Sequence, residues 1–436
     1  MAWSPISGTF LQYGENDVDA SGFYMKFYAS GTTTPISMAI DSTGATTLAK
    51  CQLDTDGMPI NGSGAAFIPH IDRAYKLVIY RNATDADNNT FGSAYKEIDS
   101  LSPFITTATP PVLYFDTVAA MKAATHSLGD LVETKGFTTA GDVGGGKYLV
   151  EALGTPDGYG DHATDDGNFQ LTLQHEGEVN AAQYGAVAGA DSTLAIKAVY
   201  AAGVDLIISE EYLIDAVDPN YPTTRFGGGV KPANGSVTTF TSGGKLTAIA
   251  NDKDEYVIVN LDGTSNVTII EGDVVGDVGS HIGSTGEWGM GYYINSADNP
   301  QLIRCKASLC WGDGFYVAGD AGSPTLGGVL DNCEADDNRR QGLSIVSWKR
   351  GLVKGGDYHD TGKTAYVAPG FGIDIEPNPE DNDIQVTLSA VRTANNKQGG
   401  IQIVPGFMSN ALASGNAYHV NIIAPESYKD GPDGGS

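Results

Sequence analysis

The sequence has 436 residues, 41% hydrophobic and 18% charged, which suits a folded chain of two or three domains, or one domain plus a repeat array, rather than a disordered one. Fifty-three acidic against 25 basic residues give a net charge of −28. Such a chain lacks the basic stripe that nucleic acid or an anionic membrane surface requires. Four cysteines, Cys51, Cys305, Cys310 and Cys333, show neither zinc spacing nor the density of a disulfide scaffold and are expected as buried free thiols.

Met1–Gly14 has neither the basic start nor the apolar stretch of a secretory signal, and the longest apolar runs are strand-sized. Folding in a cytoplasm without membrane insertion is therefore expected. Glycine is abundant, 57 residues, but has no collagen period, so it points to many turns between short strands.

In chain order, Phe23–Tyr28, Ala65–Ile68 and Tyr75–Tyr80 read as strands, separated by turn clusters at Ser30–Pro35, Asp54–Pro59 and Asp85–Asn89. They predict a small β domain over 1–105, closed by the Thr/Pro-rich linker Ser102–Pro111. A second module spans 112–178. It opens with a short helix at Val118–Ala124, capped by Asp116 or Thr117, and its loop Gly141–Gly146 precedes a strand at Lys147–Glu151. That loop lacks the Lys-Ser/Thr pair of a phosphate cradle and opens no helix, so it reads as a turn.

From Val179 onward the pattern changes, and 179–436 reads as one body. An amphipathic helix at Ser192–Ala202 follows an Asp191/Ser192 cap. Then a glycine followed by apolar–any–apolar recurs at Gly291, Gly314, Gly342, Gly372 and Gly400, at intervals of 23, 28, 30 and 28 residues. A second strand follows each, at Gln301–Ala307, Gly328–Ala335, Gly351–Tyr358 and Asp383–Ala390. Repeats of this length, two strands and two turns each, predict a parallel β-helix, whose coils bury an inward face only by stacking. Cys305 and Cys333 then fall on one inward ladder. Four residues before the glycines stand Glu287, Cys310, Asn338 and Asn396, a turn-capping position.

These segments resemble bacteriophage tailspikes with a pectate-lyase-like β-helix. Phe23–Ala39, Asn61–Leu77 and Asn82–Asn89 are similar to their particle-binding domain, and Asp116–Tyr148 to their neck module. Val179–Ile214, with Gln183-Tyr-Gly-Ala, looks like the entry of the helix, and Asn338–Ile345 and Gly372–Asn378 match strings of its body. The resemblance implies a mainly β fold with a right-handed parallel β-helix, a homotrimer, docking on phage tail or baseplate proteins through the N-terminal domain, a place in the virion, and recognition, often cleavage, of capsule or O-antigen. Members usually continue into a trimerisation or carbohydrate-binding region, whereas this sequence stops at Asp433-Gly-Gly-Ser436.

Hydrolysis of a glycosidic bond needs one protonated and one ionised carboxyl. With Ile373 and Ile375 inward, Asp374 and Glu376 point out on one face, their Cα atoms roughly 6.7 Å apart by two strand rises. They read either as a catalytic pair or as a solvated acidic strand face. Asp313 is a third candidate, or simply a turn aspartate. Three residues before successive glycines stand Trp288, Trp311 and Arg339, which read as a sugar-stacking ladder joined by Arg340, or as packing residues and counter-ions of Asp336, Asp337 or Asp374. No Ser or Cys stands at triad spacing from His359; Asp357 and Asp360 with Lys354 or Lys363 give only a weak signal for a calcium-dependent lyase. Neither a cofactor nor a metal is expected. Two functions remain open, a polysaccharide depolymerase and a non-catalytic receptor-binding or structural spike.

Overall fold

A computed structural model describes residues 4–5, 20–101 (apart from 42 and 56), 112–377 (apart from 225 and 321), 384–404 and 418–431. The expected linker Ser102–Pro111, most of Met1–Gly14, the end of the loop after Pro377 and Asp433–Ser436 lie outside the described residues. The chain divides into two compact units, Met1–Pro111 and Val112–Ser436.

In the first unit, Tyr24–Ala29 pairs antiparallel with Tyr75–Tyr80, which pairs in turn with Ala94–Leu101. Met25, Phe27, Leu53, Tyr75, Leu77 and Ile79 form its core. Two expectations differ. Ala65–Ile68 forms no strand, only a bridge from Ala66 to Ile60. The segment expected as a turn at Asp85–Asn89 lies mostly in a helix, Ala83–Asn88, because the Asn82 side chain accepts the Asp85 N–H and Asn89 closes the helix in the left-handed region.

The second unit opens with the strand Leu113–Phe115, followed by the helix Val118–Lys122, capped by the Thr117 hydroxyl. The Gly141–Gly146 loop is organised by the Asp142 carboxylate, which accepts the N–H groups of Phe137, Thr138, Thr139 and Gly144. The donors a phosphate would need are thus already engaged. Helix Thr193–Ala202 ends at the left-handed Gly203 and buries Ala195, Ile196, Val199 and Tyr200 over the first coils. Its Tyr200 hydroxyl lies 2.9 Å from that of Thr238, a polar residue on an otherwise apolar inward ladder.

Residues 113–174 form a five-stranded, mostly antiparallel sheet, and from Glu178 onward this unit is a parallel β-helix of about seven turns. Its first face stacks Glu255–Asn260, Trp288–Asn295, Phe315–Asp320, Leu343–Ile345, Phe371–Ile375 and Gly399–Ile403 in parallel register. The second runs from Glu178–Asn180 to Tyr418–Ile423, and the third from Glu211–Ile214 to Glu426–Tyr428. Each coil therefore has three strands where the sequence suggested two. Three of the four expected second strands are cut by left-handed residues, Arg304 at φ 53°, Asn332 at φ 51° and Gly355 at φ 64°, whereas the fourth is one strand, Ile384–Ser389. The corner costs no coil-to-coil hydrogen bond, since Arg304 N–H donates to Asp331 and Asn332 N–H to Lys354.

Inward ladders hold the body together: Tyr292–Phe315–Leu343–Ile373 on the first face and Leu302–Leu330–Val353–Leu388 on the second. Cys305 and Cys333 are buried free thiols at equivalent corners. Asn338 and Asn396 are buried and cap as expected. Asn338 accepts the Cys310 N–H at 3.0 Å and donates to Ala307, while Asn396 accepts the Thr361 N–H and donates to Tyr358. The repeat glycines make room for them. A Cβ on Gly314 would lie 2.6 Å from the Asn338 amide nitrogen, and one on Gly372 equally close to that of Asn396.

Ile375 is fully buried, whereas Gln402, outward on the next coil, is half-buried. Ile375→Asp places an unpaired carboxylate in the core, a loss of several kcal/mol, roughly 3 or more, while Gln402→Asp stays near ~0.5 kcal/mol. Thermal melts should show a collapsed melting temperature for the first variant only.

Candidate active site

The parallel register of the first face puts Tyr293, Tyr316, Ser344, Asp374 and Gln402 in one outward row, each two residues after a repeat glycine. Near the middle of this row three carboxyls converge. Asp313, in the turn before its strand, is fully buried and accepts Arg340 Nη1 at 2.9 and 3.2 Å and the Ser344 hydroxyl at 2.7 Å. Burial lifts its carboxyl above the usual range and the Arg340 charge works against that rise. Arg340 Nε lies 3.6 Å from Glu287, so the guanidinium spans two acids.

Asp374 is only 2% exposed. The expectation of an outward residue holds for its register, but not that of a solvated face, because neighbouring outward side chains cover it. Gln341, itself fully buried, donates from Nε2 to Asp374 Oδ2 at 2.7 Å, while Gln341 Oε1 accepts the Phe371 N–H at 2.6 Å. The backbone N–H fixes which way the Gln341 amide faces. Oδ2 is consequently an acceptor, and a proton on Asp374 belongs on Oδ1, which has no partner among the described residues. Burial, then the charges of Glu376 and Asp313, push this carboxyl up to about 7, against the pull of Arg340 and Gln341.

Glu376 is half-buried just past the strand end at Ile375. Its N–H still donates to Ile345, so it stays in register with the coil below. Asp374 and Glu376, with Trp288, Tyr316, Arg340 and Ser344, line a pocket of about 80 Å³, room for a few waters or the edge of a sugar ring. Trp288, 39% exposed, stands at its rim.

Trp311 and Arg339 lie elsewhere, and the expected three-residue ladder does not form as one surface. The Trp311 ring stacks on His281 at 3.8 Å, its Nε1 donates to Thr285, and the Arg339 guanidinium covers it at 3.8 Å. Arg339 also donates to the carbonyls of Gly286 and Trp311. Both are at most 7% exposed, so no ring face is left for a ligand. Counting back from the glycine fails here because Trp288 is in its strand while Trp311 belongs to a turn.

Arg340 pairs with Asp313 and Glu287 rather than with Asp336, Asp337 or Asp374. Around His359 on the third face, Glu334 and Asp336 both contact the Lys306 ammonium, Asp357 pairs with Arg392, and Lys354 with Asp331. One lysine thus serves two acids there, and the His359 ring lies 3.4 Å from Glu334 and 3.6 Å from Asp336. Gln341, Ser344, Tyr316 and Glu287 were not singled out as site residues, although the glycine-plus-two position identifies Tyr316 and Ser344.

No protein-family model matches the chain. The uncharacterized protein YclG of Bacillus subtilis strain 168 is 27% identical over 191 residues, 41% of this chain and 31% of that protein. Among solved structures, the tailspike gp49 of Acinetobacter baumannii bacteriophage Fri1, a capsular polysaccharide depolymerase, superposes with a TM-score of 0.57 at 14% identity over 72% of this chain and 58% of that one. The gp42 tailspike of Acinetobacter phage vb_AbaP_AS12 gives a TM-score of 0.41 at 15% identity, over 73% of this chain and 58% of that one. The chain spans less than two thirds of each of these proteins. Its structural neighbours include phage tailspikes, and its fold is the tailspike-like parallel β-helix.

The raised Asp374 carboxyl has a consequence for stability. Its proton is favoured in the folded state, so the associated stability is complete below about pH 4 and is lost as pH rises through about 7. Lifting a carboxyl from 3.8 to about 7 makes it on the order of 4 kcal/mol harder to ionise in the fold. Asp374→Asn should therefore melt progressively higher than the parent between pH 4.5 and 8. Parallel pH profiles of melting temperature would show that Asp374 holds no proton.

Proposed function

We propose that the chain is a phage tailspike whose β-helix binds and cleaves a bacterial surface polysaccharide, capsule or O-antigen, during adsorption. The observation that carries this reading is one buried carboxyl held near pH 7, Asp374, beside Glu376 in a pocket rimmed by Trp288. Asp374 gives its Oδ1 proton to the glycosidic oxygen, and Glu376 acts from the same pocket as base or nucleophile. Arg340 and Ser344 hold Asp313, whose charge keeps the Asp374 proton in place. Trp288 stacks on a sugar face at the rim. Trp311 and Arg339 tie the 277–287 segment to the coil and bind no sugar. The first unit docks on tail or baseplate proteins, and the spike works as a homotrimer in the virion.

Reducing-end release from a panel of purified capsules and O-antigens tests the activity. Asp374→Asn and Glu376→Gln should each lower the rate by roughly 10²-fold or more, the usual worth of a positioned acid or base. Parent activity should fall as pH rises through about 7, where Asp374 loses its proton. Unchanged activity in both variants would remove the pair.

A binding-only spike is the second reading, favoured by the 2% exposure of Asp374, which leaves little access for a glycosidic oxygen. Glycan binding without release of reducing ends from any substrate would establish it.

A chain beginning at Val112 should retain glycan binding but fail to join particles in a tail-assembly assay. Decorated particles would refute the docking role of the first unit.

A further inference from the structure

The outward row does not end at the carboxyl pocket. Toward the earlier coils it continues from Tyr316 to Tyr293 and Asn260, one residue per coil. There it enters a cavity of about 550 Å³, lined among others by Lys197, Phe226, Lys231, Asn260, Tyr293 and Asn295. Aromatic rings form a floor between the two places. Tyr293 stacks on Tyr316 at 5.8 Å and on Phe226 at 4.8 Å, and Phe226 lies 6.1 Å from Trp288. From Asn260 to Asp374 is four strand spacings, roughly 19 Å, long enough for several sugar rings laid along the helix axis.

The charges in this cavity are unequally engaged. Of its three carboxylates, Asp218 accepts the Asn220 N–H at 2.7 Å, and hydrogen bonds from the Thr224 side chain and that backbone hold it below the usual carboxylate range. Asp262 accepts the Asn295 amide at 2.8 Å, and Asp320 accepts it at 3.4 Å. Neither Lys197 nor Lys231 has a carboxylate within ion-pair distance among the described residues, although the chain carries 53 acids to 25 bases. Two lysines without a carboxylate partner, beside an aromatic floor, are the groups of this cavity that can meet the carboxylate of an anionic sugar.

We infer that this cavity is a distal subsite for a uronic-acid residue of the polysaccharide whose chain continues to the Asp374/Glu376 pocket. It rests on reading the first face as a glycan groove, and it specifies an acidic polysaccharide as the substrate class. Lys197 and Lys231 meet the sugar carboxylate, and the Tyr293 and Phe226 rings meet the sugar face.

Saturation-transfer NMR on the full chain, with D-glucuronate and D-glucose as probes, tests it. Glucuronate should give the stronger transfer, and Lys197→Gln/Lys231→Gln should weaken its affinity roughly tenfold, the loss of about 1.4 kcal/mol. Lys197→Arg/Lys231→Arg should retain it, which separates lost charge from lost fold. Asp374→Asn/Glu376→Gln should leave the glucuronate signal intact. Full depolymerase activity in that variant would remove the catalytic pair without touching the subsite. Equal transfer from glucose and glucuronate, or a glucuronate signal unchanged by the double glutamine variant, overturns the inference.

Discussion

Asn338 and Asn396 sit where a coil must turn from its third face to the next first-face strand while staying one strand spacing from its neighbour. Each side chain bonds backbone groups of the same turn on the preceding coil, and it fits only because the repeat glycine beneath it has no Cβ. That contact fixes the register at Gly314 and Gly372. Once the register is fixed, inward residues must fall on inward ladders, and glycine-plus-two residues must form one outward row. The groove is a consequence of that row.

Within the groove, two aspartates of the same type acquire different chemistry from their neighbours. Asp313 faces a guanidinium and a hydroxyl, which compensate its charge. Asp374 is buried beside two other acids, and the pull of Arg340 and of the Gln341 amide only partly offsets this, so its carboxyl stays at about 7. Net charge could not distinguish them. What separates them is that Arg340 and Ser344 hydrogen-bond Asp313, whereas Asp374 is hydrogen-bonded by the neutral Gln341 amide.

The parts of this arrangement legible in the sequence are those that repeat. Glycine followed by apolar–any–apolar revealed the stacking, the inward Ile373 and Ile375, the asparagine caps and the acidic pair. The third strand of each coil was hidden because its corner is a left-handed residue of no fixed type, Arg304, Asn332, Gly355 or Ala390. The burial of Asp374 was hidden because its partner Gln341 and the pocket residues Trp288 and Tyr316 come from other coils, and the separation of Trp288 from Trp311 because spacing counted in a strand does not carry into a turn. In the first unit, the helix after Asn82 was obscured by the Asp and Asn residues that favour turns and helix ends alike.

A row of outward residues mounted on an independent inward core also has an evolutionary reading. Ser344 and Asp374 occupy equivalent positions on adjacent coils, yet one is a hydroxyl and the other a carboxyl, over the same kind of apolar neighbours, Leu343 and Ile345 below one and Ile373 and Ile375 below the other. Selection can therefore rewrite the chemical lettering of this surface one coil at a time while the scaffold remains unchanged. Drift of specificity along such a row requires no new fold, only a new side chain at the second place after a glycine.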